Sequence, residues 1–202
     1  MNVKNGMVLK LLALLLIPIT LFSGCDKRKA QLRQTFDTYS TMLEEGRVGD
    51  LRLKIYYMSA EGDFFLMPFD VDRLIRASDT QIVIEGEELK AHIDLLKELK
   101  ADALTPVKEK AYLDARLCYI FETTDGEKVL EVASSGVTDS QTDALSELLE
   151  SENPENIDLT EFKGVVFVNG IAVEHSDILY EVIKPFCTDD IWQKIVTDFQ
   201  LE

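Results

Sequence analysis

The feature that most constrains this chain is the stretch 165–173, where Val165 to Val168 and Ile171 to Val173 are separated only by Asn169-Gly170. Asn-Gly accepts the positive φ angles of a type I′ turn, the two-residue connection whose twist suits paired antiparallel strands. Strands joined so closely cannot run parallel, because a parallel pair needs a crossover of a dozen or more residues. The same pattern recurs upstream. Leu117, Tyr119 and Phe121 alternate with Cys118 and Ile120, a strand expected to be buried on both faces, and Asp125-Gly126 turns it into Lys128 to Ala133. Leu51, Leu53, Ile55 and Tyr57 alternate with Arg52, Lys54 and Tyr56 as a half-buried strand. Glu61-Gly62-Asp63 marks a turn and Phe64 to Phe69 a return strand, which makes a third expected hairpin. Gln81 to Ile84 adds one more strand.

Helical periodicity fills the gaps. Leu32, Phe36, Tyr39 and Leu43 recur at helix spacing, with Gly46 as a stop. Asp72 to Ala77 forms a short helix, and Glu87 to Lys100 carries Leu89, Ile93, Leu96 and Leu99 on one face. Ser176 can cap a helix limited by Pro185. Thr188 can cap a last helix whose stripe is Ile191, Trp192, Ile195 and Phe199. Hairpins with helices between them predict an α+β domain: a largely antiparallel sheet with helices packed on one face.

The N-terminus follows different rules. Lys4 and Lys10 precede an apolar run from Leu11 to Phe22, 12 residues long. That length suits the apolar segment of a signal peptide and falls short of the ~20 residues of a spanning helix. The sequence Leu21-Phe22-Ser23-Gly24-Cys25 closes the segment. It resembles the lipobox of bacterial lipoproteins, with Phe22 where that family usually has Leu. The resemblance covers about 25 residues and implies cleavage before Cys25, lipid on its thiol, and a membrane-anchored protein facing the periplasm or cell exterior. Asp26, next in line, implies inner-membrane retention in enteric-type lipoproteins and carries no meaning in a single-membrane bacterium. The expected layout is a signal peptide at 1–24, a lipidated cysteine with helical tether at 25–48, and one α+β domain at 49–202.

Removing residues 1–24 takes away two lysines and no acid, so the formal charge goes from −16 to −18 over the 178 residues left. So acidic a chain disfavours nucleic acid as a partner, since phosphate binding needs clustered Lys and Arg. It suits an exported body repelled by an anionic surface. Against that background Lys27, Arg28, Lys29 and Arg33 stand out directly after the anchor, placed for contact with anionic headgroups at ~1 kcal/mol each. Residues 129–162 hold no Lys or Arg and nine Asp or Glu, either a solvated loop and helix face or a surface that binds cations or docks a basic protein partner in the envelope.

Chemical motifs are sparse. His92 and His175 lie in no His-x-x-x-His or His-Glu-x-x-His spacing, and no calcium loop or phosphate-binding glycine loop occurs, so no metal or cofactor is expected. No Gly-x-Ser-x-Gly elbow is present, and a Cys118–His175 dyad has no supporting context. Glu85, Glu87, Glu88, Asp189 and Asp190 flank helix starts, where the helix dipole favours acids. Outside the cytoplasm Cys118 and Cys187 form a candidate disulfide; the alternative is two reduced, buried thiols. The functional expectation is a lipid-anchored extracytoplasmic binding or accessory module, with no catalytic residue assigned. The alternative is a cell-envelope hydrolase whose acid and base are distant in sequence.

Overall fold

A computed structural model describes residues 24–59, 69–107, 111, 113–135 and 165–201. Six strands form one sheet: β1 (Leu51–Tyr57), β2 (Thr80–Glu85), β3 (Ala115–Thr123), β4 (Lys128–Ser135), β5 (Val166–Val168) and β6 (Ile171–Val173). Their order is β2-β1-β3-β4-β5-β6, and every neighbouring pair is antiparallel. The helices are α1 (Gly24–Glu44), α2 (Val71–Ala77), α3 (Glu87–Lys90), α4 (Ile93–Glu98), α5 (Ile178–Glu181) and α6 (Asp189–Phe199). The fold is α+β with an antiparallel sheet, as the hairpin pattern requires.

The Asn169-Gly170 turn behaves as its residue types dictate. Asn169 has φ 44° and Gly170 φ 79°, both in the region a type I′ turn demands. A Cβ at Gly170 would meet nothing within 4 Å, so glycine is required there by backbone conformation and not by crowding. Asn169 also pins the turn to β4: its Oδ1 accepts from the Glu131 N–H at 2.6 Å, and its own N–H donates to the Glu131 carbonyl at 2.9 Å.

Alternation along the strands divides the interior in two. Leu51, Leu53, Ile55 and Tyr57 of β1 share one face with Leu117, Tyr119 and Phe121 of β3, Leu130 and Val132 of β4, Val166, Val168 and Val173. Leu89, Leu96, Leu179, Tyr180, Ile195 and Phe199 from α3 to α6 pack on that face. The reverse face carries a smaller cluster of Tyr56, Met58, Phe69, Ala115, Cys118, Ile120 and Ala133 under Leu74 of α2. Among the described residues, helices on one face therefore describes five of the six; α2 lies on the other. Being only seven residues long, α2 covers one end of that face. The remainder is an ion-pair ladder, with Arg52 2.7 Å from Glu85 and Lys54 2.7 Å from Glu122.

α1 is not a tether in front of the domain. Leu32, Phe36, Tyr39, Met42 and Leu43 are all buried in the main core. The Tyr39 hydroxyl donates to the Leu96 carbonyl at 2.9 Å, and its ring lies 4.9 Å from that of Phe121. The core thus begins inside the segment 25–48, because the apolar stripe of α1 faces the sheet.

Two local expectations change. Both edges of β1 are taken along its length, by β2 from Arg52↔Glu85 to Tyr57↔Thr80 and by β3 from Leu51↔Thr123 to Tyr57↔Leu117. No edge is left for a hairpin with Phe64 to Phe69, and residues 60–68 lie outside the described residues. Phe69 instead binds at the start of β3, its N–H donating to Asp114 Oδ1 at 2.7 Å and its carbonyl accepting from the Ala115 N–H at 2.8 Å. The expected helix 87–100 is broken at His92 (φ −110°, ψ 21°) into α3 and α4, with Leu89, Leu96 and Leu99 still buried. Thr188 caps α6 as expected, its hydroxyl accepting from the Ile191 N–H at 3.4 Å.

Candidate functional site: the N-terminal end of the first helix

Cys25 falls in the first turn of α1. Of the four basic residues after it, Lys27 and Lys29 are exposed, while Arg28 and Arg33 reach the body of the protein. The Arg28 guanidinium donates to the Val107 carbonyl. Arg33 pairs with Asp102 at 3.0 Å with both side chains more than half exposed, an arrangement that adds about 0–1 kcal/mol.

Val107 also belongs to the sheet's margin. Its N–H donates to the Ala172 carbonyl at 3.0 Å, Pro106 bridges to Val173, and the Glu174 N–H donates to the Thr105 carbonyl at 2.8 Å. Residues 105–107 thus close the outer edge of β6 and connect it to α1 through Arg28. Between these parts runs a groove of about 280 Å³ lined by Arg28, Gln31, Ala111, Phe167, Gly170, Ile171 and Ala172. One cation and one amide face five apolar or backbone surfaces there. Phe167, Ile171 and Ala172 are half-buried. The groove's parts come from both ends of the chain, which is why spacing arguments missed it; the local hint was Phe167, large and apolar, set between two inward-facing valines.

The remaining sequence candidates do not converge. Cys118 and Cys187 are both free. Cys118 lies in the α2-side cluster and Cys187 packs against the main core, so the sheet stands between the two thiols. Burial pushes the Cys187 thiol up to about 11 and the Cys118 thiol higher still, which suppresses the thiolate of each. In a Cys25→Ala background, thiol titration without reductant is expected to find two equivalents after denaturation and slow reaction before it at pH 8. At that pH a thiol of pKa 11 is roughly one part in a thousand thiolate. Fewer than two equivalents would mean the cysteines pair after all.

His175 stacks on Tyr180 with centroids 5.2 Å apart, and its Nε2 lies 3.4 Å from Asp177. His92 meets the Phe186 ring edge-on at 5.0 Å. Tyr180 and Phe186 belong to the main core, so the Cys118–His175 dyad is not assembled. Among the described residues no group of three or more His, Cys, Asp or Glu is placed to hold a metal ion. Asp198, 3 % exposed, accepts from the Tyr57 hydroxyl at 2.6 Å in a sealed position. Most of the acidic stretch, residues 136–162, lies outside the described residues.

The described residues define the chain as an α+β protein built on a six-stranded antiparallel sheet. No protein-family model, curated protein or solved structure matches it. Among the described residues no helix is long and apolar enough to cross a membrane.

Proposed function

We propose that this chain is a lipid-anchored, extracytoplasmic binding or accessory module held at a membrane through Cys25. The observation that carries the reading is the continuity of the lipobox with α1. Cys25 lies seven residues before Leu32, a fully buried core residue, which puts the anchor about 10 Å along the helix axis from the packed body. A module attached in this way is held flush with the bilayer at high effective concentration toward other envelope components. Among the described residues the groove beside Arg28 is lined by no carboxylate and no thiol, which favours binding over acid–base or nucleophilic chemistry at that place.

The test is Cys25→Ala. The variant is expected to leave the membrane fraction almost completely, because without its lipid the protein retains only the basic residues at ~1 kcal/mol each. Membrane recovery equal to wild type, with normal signal cleavage, would sink the anchoring claim. Mild crosslinking in the native membrane should recover an envelope protein with the wild type and lose it with Cys25→Ala. Recovery of no partner, together with turnover of envelope substrates by the purified protein, would replace the binding reading with the hydrolase.

A further inference from the structure

We infer that the groove between the first turns of α1 and the β5–β6 hairpin is a seat for an anionic phospholipid, so that the protein stands on the bilayer in one orientation with the hairpin tip toward it. This rests on the anchoring reading and adds to it a second, non-covalent contact with defined residues.

Four observations converge. The lining joins one guanidinium and one amide, Arg28 and Gln31, to the apolar surfaces of Phe167, Ile171, Ala172 and Ala111. A phosphodiester followed by ester-linked acyl chain presents the matching sequence of groups: charge first, then hydrocarbon. Arginine carries five N–H donors, so the bond from Arg28 to the Val107 carbonyl leaves several for a phosphate. A volume of about 280 Å³ is small among ligand sites, enough for a headgroup and the first methylenes while the chains stay in the membrane.

Position is the second observation. Arg28 comes three residues after Cys25, about 5 Å along the helix axis, so a lipid on that cysteine brings the groove to headgroup depth. Charge is the third. A chain of net charge −16 concentrates Lys27, Arg28 and Lys29 at this one end. Two acids that contact α1 and the hairpin are already matched: Asp102 to Arg33 of α1 at 3.0 Å, and Glu131, which holds the hairpin tip, to Lys128 at 2.9 Å. Rigidity is the fourth. Leu32 is fully buried one turn after Arg28, and Arg28 is bonded to the body, so α1 offers no swivel between anchor and groove.

The experiment uses the full lipidated protein in vesicles, with Trp192→Phe to remove the native tryptophan and Ile171→Trp as a probe in the groove. Phe167→Trp serves as a second probe should Ile171→Trp unfold. Quenching by chain-brominated phosphatidylglycerol is compared with quenching by equally brominated phosphatidylcholine. The expected result is about fivefold stronger quenching by the anionic lipid, falling to the phosphatidylcholine level with Arg28→Gln. Equal quenching by both lipids, in protein that still floats with the vesicles, would overturn the groove assignment and leave the anchor intact. Failure to float would overturn both. Inorganic phosphate abolishing the difference at constant ionic strength would identify a small-anion site and overturn the lipid.

Discussion

Leu32→Ala is expected to lower the stability of the protein by about 2–5 kcal/mol, the range for emptying a fully buried leucine site. The measurement is the urea midpoint at unchanged slope. Leu32 is 0 % exposed and lies with Phe36, Tyr39, Met42 and Leu43 in the main core, so its methyl groups have no solvent to retreat into. A helix that merely joined anchor to domain would tolerate the same change within about 0.5 kcal/mol, as surface substitutions usually do. Arg33→Ala is the matched control one residue along, where the exposed pair with Asp102 contributes about 0–1 kcal/mol. Two variants with equal midpoints would show that α1 does not unfold with the sheet. The distinction bears on the proposed function, because only a docked α1 would hold the groove and the proposed anchor in fixed relation.

Asp114→Ala should cost about 3 kcal/mol by the same measurement. Asp114 is a junction: one carboxylate oxygen accepts from the Phe69 N–H at 2.7 Å, and the other from Arg116 Nη2 at 3.0 Å and Nε at 3.3 Å. Its own N–H donates to Ser135 Oγ at 3.1 Å, tying the start of β3 to the end of β4. Arg116 has a side chain only 3 % exposed, so removing this carboxylate takes two charge-assisted hydrogen bonds from a cation in a poorly solvated place. Breaking such pairs costs about 3–5 kcal/mol. The 23 % exposure of Asp114 places the expectation at the lower end. The Phe69 ring, with the Arg116 guanidinium 5.1 Å and that of Arg73 4.3 Å from its centroid, keeps contacts that soften the loss. Asp114→Asn should cost less, since an amide oxygen still accepts from Phe69. If Asp114→Ala unfolded at the wild-type midpoint, the Phe69–Asp114–Arg116 cluster would have no part in fastening Phe69 to the start of β3.

Much of the architecture was readable from residue order alone, and the readable parts share a cause. Asn169-Gly170 and Asp125-Gly126 specify their hairpins because turn chemistry acts between neighbours. The stripe of Ile191, Ile195 and Phe199 specifies α6, and Thr188 caps it, for the same reason. The misread parts were decided at long range. Leu51–Tyr57 found both its partners across more than twenty residues, in β2 and β3, in place of the nearer Phe64–Phe69. α2 went to the reverse face because Leu74 meets Cys118, Ile120 and Ala133 there, a choice that periodicity within α2 does not contain.

The candidate site divides the same way. The stretch Leu21 to Cys25 that resembles a lipobox and the basic residues Lys27 to Arg33 are contiguous, so the sequence by itself determines where the proposed anchor and its charges would lie, along with the hairpins that make the sheet antiparallel. It could not determine that α1 is part of the core, that Cys118 and Cys187 end on opposite sides of the sheet, or that Arg28 meets Phe167 and Ile171 across a groove. Those are outcomes of packing. Which apolar stripe covers which sheet face depends on the summed burial of residues far apart in the chain, and that sum exists only once the sheet has formed.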